Sequence, residues 1–457
     1  MNDTQSQAPL LARASSEAPV AFYRGAARSA AEFARDVRLV GEMLPAGAPL
    51  LNACVDRYHF AVGLAAAACA GPMTLLPSAY AAEGVARLKA QYPALYCLQD
   101  AALDIGLPTL AFPVLPESTP TSCPAVPLPL IPLGRLVVTV FTSGTTGVPV
   151  GHRKSWGSLR AGAAAAVSRL GLDDGRAWSL VATVPPQHMY GLESTVMLGL
   201  QGPAVIHAGR PFYPQDIVRA LAEVPRPRLL VTSPVHLRAL LTSGLAAPPL
   251  DAILCATAPL PQTLAVEAET RLGAPLHEIY GATEAGQIAS RRPTVDEAWV
   301  LFPGLALQPD GAAFRVHGGH VETPALLNDI IEPQGPHTFL LQGRGADVVN
   351  VAGKRSSIAY LEQQLLSIPG VIDGAFYMPD EDLAGPVARL TAFVVAPGLT
   401  LADIEQALRC RIDPVFLPRP LTLVDSLPRL PTGKLPLEAV KRLLAATRAG
   451  AVGGGHG

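Results

Sequence analysis

Between Arg135 and Tyr280 short apolar runs alternate with helical patterns, and this alternation restricts the fold more than any other feature of the chain. RLVVTVF (135–141), WSLVATV (178–184), AVIHA (204–208), RLLVTS (228–233), DAILCAT (251–257) and LHEIY (276–280) each have the length and composition of a buried strand. Helical segments lie between some of them: SLRAGAAAAVSRLG, with Ser158 as a candidate N-cap, HLRALLTSG and QTLAVEAETRLG. Strands joined by helices pair in parallel, and the helices cover the sheet faces. The expected fold class is therefore α/β, with helix-covered, mostly parallel sheets. Ligands of such sheets gather beyond the carboxyl ends of the strands.

Other stretches set the domain organisation. FAVGLAAAACAGPMTLLP is the most apolar run, but Gly71-Pro72 breaks it and Asp56, Arg57 and His59 flank it. It reads as a buried helix followed by a strand, not as a membrane span. Between Leu107 and Leu133 proline recurs every few residues, which excludes a helix or an inner strand and predicts a surface connection. From about Val348 the elements fall into smaller groups (VVNVAG, IAYLEQQLLSI, GAFYMP, ARLTAFVVAP, LADIEQALRCRI), as in an α+β domain. The expected division is 1–345, 346–448 and a disordered tail, 449–457.

Charge and cysteine usage remove several function classes. With a net charge of −2 the chain has no basic excess to hold a nucleic-acid backbone, so no nucleic-acid partner is expected. Six cysteines without a CxxC pair read as small buried thiols in a reducing compartment. The N-terminal MNDTQSQAPLLARASSEAP lacks a basic region followed by an apolar block, so neither a signal peptide nor stable membrane insertion is expected, and the cytoplasm is the expected location.

The segment FTSGTTGVPVGHRKSW (141–156) follows the first of the alternating strands, where a ligand would sit. Gly144, Gly147 and Gly151 permit turns in which successive N–H groups converge on one anion, and Thr142, Ser143, Thr145 and Thr146 add hydroxyl donors. His152 stands five residues after Gly147, so the spacing is not that of a P-loop, and no GxGxxG occurs. The loop itself lacks a lysine, so the charge that offsets bound phosphate comes from elsewhere. HGGH (317–320) has no third ligand nearby and reads as a loop, not a metal site.

FTSGTTGVPVG, PPQHMYGLE, EIYGATE, GRGADVVNVAGKR and LPRLPTGK occur in the order seen in the adenylate-forming superfamily, which the chain resembles from about residue 135 to 440. That superfamily includes acyl- and aryl-CoA ligases, nonribosomal peptide synthetase adenylation domains and firefly luciferase. The resemblance implies a large N-terminal domain and a small mobile C-terminal one, with ATP and Mg²⁺ as cofactors. It places Thr142, Ser143, Gly144, Thr145, Thr146 and Gly147 around the outer phosphates of ATP. Tyr280 would stack on adenine beside Gly281, Ala258 and Pro259; Thr283 would contact the α-phosphate, and Glu284 would hold Mg²⁺. Asp329, fifteen residues before Arg344, would bind the ribose together with that arginine. Lys434 would bridge the carboxylate and the α-phosphate, and His188 would gate the thiol's route. The acid pocket would be drawn from Tyr190, Gly191, Ser233, His236, Ala256, Gly281 and Ile288, and the domain hinge from Ala346 and Asp347.

Three positions depart from the family pattern. Val150 replaces the usual loop lysine, for which Arg153 and Lys154 lie close enough to substitute in part. Ala346 replaces an acidic hinge residue, and Leu437 replaces an arginine. VDRYHF, TVPPQHMYGLE, AGRPFYPQDI, TSPVHLRALL and CATAPL further resemble the AMP-ligases of bacterial aryl-polyene and xanthomonadin pigment clusters. That resemblance implies an aryl acid such as 3- or 4-hydroxybenzoate, passed to the phosphopantetheine of an acyl carrier protein. The alternatives are an aryl- or medium-chain acyl-CoA ligase and a non-catalytic ligand-binding relative.

Overall fold

A computed structural model describes residues 6–77, 80, 82–117, 128–142, 150–311, 313–344, 348–351, 354–379, 389–430 and 435–453. Five of the six alternating strands, from Trp178 to Ala282, form the centre of an eleven-stranded sheet, and the first, RLVVTVF, joins another. In spatial order Leu276–Ala282, Ala252–Cys255, Arg228–Thr232, Trp178–Ala182, Ala204–His207 and Pro19–Tyr23 pair in parallel. Beyond Leu276–Ala282 the sheet turns antiparallel through Gly286–Arg291, Trp299–Leu301, Thr338–Arg344 and Asp329–Pro333. These additions follow from a short turn at 283–285, which leaves no room for a crossover helix.

A second sheet of six strands carries the hydroxyl-rich segment. Leu136–Thr142 lies between Thr74–Leu76, its parallel partner, and Val150–Ser155, its antiparallel one. Between the sheets runs the apolar helix Arg57–Ala70, capped by Asp56, whose carboxylate accepts from the N–H groups of Tyr58 (2.8 Å) and His59 (3.1 Å). Apolar residues surround this helix because it is buried on all sides. The helix Trp156–Arg169 begins two residues before the expected cap. Ser155, extended at the strand end, accepts from the Ser158 N–H at 3.0 Å, and Ser158 instead donates its hydroxyl to the His320 carbonyl at 2.8 Å. Burial of Trp156 fixes that register.

Both described strands of the proline-rich stretch sit at edges, as a residue without an N–H requires: Thr109–Ala111 ends the six-stranded sheet, and Leu130–Pro132 pairs with Gln7–Pro9. After Arg344 the chain builds a hairpin, Val348–Val351 with Lys354–Ser357, and a three-stranded sheet covered by Ile358–Leu366 and Leu401–Arg409. Leu361, Leu365, Ile404, Leu408 and Phe416 form a separate core there. Arg238, on the helix Pro234–Thr242 of the large sheet, donates to the Val371 carbonyl at 3.4 Å, and the guanidinium of Arg429 grips Asp373 with two bonds of 2.8 Å. The helix Leu437–Gly453 reaches the last described residue, and 454–457 of the expected tail lie outside the described residues. The hinge candidates Ala346 and Asp347 lie outside the described residues. Among the described residues no helix is long and apolar enough to cross a membrane.

Candidate active site

The parallel strands end in a row, and the residues at or just past those ends build the candidate site. From one side to the other they are Tyr280 and Gly281, then Ala256–Pro259, then Ser233, then Thr183–Pro185, then Ala208–Arg210. Neighbouring ends lie about 4.8 Å apart, one strand spacing.

At the antiparallel side Tyr280 is buried, and its hydroxyl donates to Asp329 Oδ2 at 2.6 Å. The rings of Trp299 (5.8 Å) and Phe339 (6.0 Å) meet Tyr280 edge-on and fix its plane. Asp329 pairs in register with Arg344 across two antiparallel strands. A bulge between Tyr280 and Gly281 shifts the next residues out of register. Ala258 and Pro259 follow Thr257, which holds φ at 84° and whose buried hydroxyl has no partner among the described residues. A β-branched residue in the left-handed region is strained, and strain of this kind concentrates where a ligand is held. Nothing in the sequence signals Thr257.

Thr283 and Glu284 stand on the three-residue turn between Leu276–Ala282 and Gly286–Arg291. Thr142 ends the strand that leads into the hydroxyl-rich loop; Ser143, Gly144, Thr145, Thr146, Gly147 and the distant Lys434 lie outside the described residues. Lys154 does not stand in for the missing loop lysine. It is buried, and its ammonium donates to the Glu284 carbonyl at 2.7 Å, with Glu193, Glu284 and Glu322 as its nearest anions. Burial pulls its pKa below the usual lysine range. Arg153, the other substitute, is exposed on the opposite face of the strand. His152, on the same face as Lys154, approaches Thr142 Oγ1 at 3.4 Å.

Beneath that turn lies the Glu193 carboxyl, on a π-helical stretch Leu192–Met197. It is admitted by Gly286, at φ 84°, where a Cβ would come within 2.4 Å of Glu193 Oε1. Burial pushes the Glu193 carboxyl up to about 7 against the attraction of Lys154. The folded state therefore favours the protonated form. That stabilisation is complete below the unfolded carboxyl's range and is lost as pH rises through about 7. Glu193→Gln should accordingly flatten the fall in stability between pH 4.5 and about 7. Urea midpoints of variant and parent that stay parallel across that range would refute this.

The far part of the row is the acid-pocket candidate. Tyr190 donates to the Thr232 carbonyl at 3.3 Å, and burial raises its phenol well above the usual range. Gly191 is obligatory, because a Cβ there would meet the Pro185 carbonyl oxygen at 1.9 Å. His188 is half-buried at the start of the short helix Met189–Gly191. Ser233 and His236 are both buried and joined, Oγ to Nδ1, at 2.8 Å. Ala256 and Ile288 belong to the core cluster that holds Tyr280, so they form its floor. Arg57, which the sequence reading did not single out as a site residue, is fully buried. Its guanidinium donates to the carbonyls of Ala182 (3.0 Å), Val184 (2.8 Å) and Gly209 (2.8 Å), tying two strand ends together.

Residues 97–314 match the sequence pattern of the AMP-binding enzymes. The 4-coumarate–CoA ligase of Rhodobacter capsulatus is 28% identical over 272 residues, covering 60% of this chain and 66% of that protein. The 4-coumarate–CoA ligase of Halorhodospira halophila is 30% identical over 323 residues, covering 65% of this chain and 74% of that protein. Among solved structures, O-succinylbenzoate coenzyme A synthetase from Bacillus subtilis, in complex with AMP, superposes with a TM-score of 0.77 at 17% identity, over 94% of this chain and 97% of that one. ATP-bound MatB from Rhodopseudomonas palustris gives 0.74 at 20% identity, over 97% and 96%. At these identities the likeness to the solved structures is one of fold.

Proposed function

The chain belongs to the AMP-binding enzymes and has the adenylate-forming fold, and from that premise we propose that it activates a carboxylic acid with ATP and passes the acyl group to a thiol. In the first step a carboxylate oxygen attacks the α-phosphorus of ATP, the bond to the β-phosphate breaks, and pyrophosphate leaves. In the second a thiol attacks the acyl carbon of the adenylate and AMP leaves. The observation that carries this reading is the Tyr280–Asp329 hydrogen bond beside the Thr283–Glu284 turn, at the strand ends where a nucleotide and an acid can meet. The acid lies farther along the row, toward Ser233 and His236, and His188 flanks the thiol's approach.

Mg²⁺ fits the groups present. Among the described residues no three ligating side chains cluster, and Glu284 stands singly on its turn. Magnesium bound through one carboxylate and substrate phosphates requires no more. When bound it would offset the charge on the reacting phosphates. The same Bacillus subtilis synthetase has been solved with ATP and magnesium ion, which supports both assignments. What this chain's own residues do is bind and orient. Tyr280 and Asp329 hold the nucleoside end, and the Lys154 ammonium fixes the main chain of the Glu284 turn.

The acid we assign is aryl, with 3- or 4-hydroxybenzoate as the first compounds to try; the two relatives named 4-coumarate–CoA ligases support the aryl class. The acceptor we assign is the phosphopantetheine thiol of an acyl carrier protein, as in pigment-type secondary metabolism. The names of those relatives favour coenzyme A as a second reading, and both present the same pantetheine arm. The described cysteines are all free thiols, which supports a cytoplasmic location. ATP–pyrophosphate exchange with a panel of carboxylic acids tests the first step, and exchange with none of them would end the proposal. Thioester formation on holo-carrier protein against free coenzyme A decides the acceptor. Equal rates on both would remove the carrier assignment.

A further inference from the structure

His236 is buried, at 5% exposure, yet its Nε2 has no hydrogen-bond partner among the described residues. A buried imidazole nitrogen without a partner costs about 1–3 kcal/mol, so its survival asks for a ligand group. The other nitrogen, Nδ1, lies 2.8 Å from Ser233 Oγ. Ser233 is entirely buried, and its side chain caps no helix N–H group.

These partners fix the tautomer. If Nδ1 carried the proton it would donate to Ser233, whose own hydroxyl hydrogen would then lack an acceptor, while Nε2 waited for a donor. Two groups would be unsatisfied. If the Ser233 hydroxyl donates to Nδ1, the ring proton sits on Nε2 and only one group remains unsatisfied. The second arrangement costs less, so Nε2–H is a donor that awaits an acceptor. Burial and the charge of Arg210 pull the imidazole down to about 4, so the ring is neutral at physiological pH and the tautomer argument applies.

The surroundings define the kind of acceptor. Phe212 meets the His236 ring edge-on at 5.1 Å. Arg210 is close enough to disfavour a second positive charge on that ring, and so favours an electron-rich oxygen. His236 stands just past the end of Arg228–Thr232, two strands from Tyr280, or about 10 Å along the row. That interval accommodates the activated carboxyl group and one aromatic ring. An oxygen on the far side of the ring would arrive at the waiting N–H.

We infer that His236 is a specificity-determining residue whose Nε2–H, set by Ser233, binds a ring oxygen of the acid. The substrate class is then an aryl acid with a distal hydroxyl or comparable acceptor, and unsubstituted aryl or plain alkyl acids are rejected. This rests on the acid-activating reading above. A site that leaves a buried donor unpaired penalises the analogue lacking the acceptor.

The test is pyrophosphate exchange with matched pairs (benzoate against 3- and 4-hydroxybenzoate, cinnamate against 4-coumarate) on the full chain and on His236→Phe and His236→Gln. The parent should prefer the better hydroxylated member by about 30-fold or more in kcat/KM. His236→Phe should bring that ratio to within about threefold of unity, mainly by slowing the hydroxylated acid. His236→Gln keeps an N–H donor and should restore part of the preference, a recovery that a purely structural role for the imidazole would not produce. If the Phe variant does not fold, the parent's preference and the Gln variant still decide. Exchange in which the ring oxygen makes no difference, or in which His236→Phe leaves the ratio unchanged, overturns the role of His236 alone. Exchange with no acid at all overturns it together with the proposed function.

Discussion

Lys434→Ala should stop adenylate formation while transfer from a supplied acyl-adenylate continues at close to the parental rate. The reacting carboxylate and the α-phosphate are both anions. At about 4 Å and an effective dielectric near 20, each unit-charge pair repels by roughly 4 kcal/mol. An ammonium between them cancels much of that term, and 4 kcal/mol corresponds to about 10³ in rate. Thiol attack on the adenylate brings no second anion to phosphorus, and AMP is already a good leaving group, so the second step does not need the charge. The paired measurements are pyrophosphate exchange and thioester formation from preformed adenylate. Equal losses in both, or a loss below about tenfold in the first, would refute the role.

The described part of the site makes that loss hard to compensate. Lys154 is the nearest buried cation to the Glu284 turn, but its ammonium is committed to the Glu284 carbonyl and faced by Glu193 and Glu322. Moving it toward a phosphate would leave a carbonyl and a carboxyl unpaired beneath the turn. Arg153 points to the opposite face of its strand. With Val150 at the usual lysine position, the proposed mechanism draws the positive charge at the reacting phosphorus from Mg²⁺ and from Lys434.

The parallel half of the sheet was legible because its strands are short apolar runs separated by helix-length segments, and both lengths can be read directly. The antiparallel half was not. Gly286–Arg291 and Asp329–Pro333 carry polar residues, glycine or proline, and only their partners across the sheet make them strands. The Tyr280–Asp329 pairing was legible through ordered motifs alone, since nothing in composition links the two residues. Arg153 and Lys154 look interchangeable as partial substitutes for the loop lysine because both lie close to it in sequence. The available clue was strand alternation, which puts His152 and Lys154 on one face and Arg153 on the other. The two serines three residues apart, Ser155 and Ser158, both satisfy a cap rule, and only burial of Trp156 decides between them.

Arg57→Met should lower the unfolding temperature by about 10 °C or more and cut the yield of soluble protein. The side chain is wholly enclosed, and burial brings its guanidinium down to about 9, so it remains charged at neutral pH. It satisfies the Ala182 and Val184 carbonyls at the end of one central strand and the Gly209 carbonyl beyond its neighbour, while its own N–H donates to the Ala208 carbonyl at 2.7 Å. Methionine fills similar space but donates nothing, so two buried carbonyls lose their partner at about 1–3 kcal/mol each, and the part-buried Gly209 carbonyl loses its own. Arg57→Lys should recover little, because a single ammonium cannot span acceptors that the planar guanidinium reaches from two nitrogens. The two tied ends lead into Pro185–His188 and Arg210–Tyr213, so surviving protein should also lose affinity for the acid more than for ATP. Thermal unfolding and the two KM values measure both effects. An unfolding temperature within about 2 °C of the parent, or a larger rise in the KM for ATP than for the acid, would show that this arginine does not brace the acid pocket.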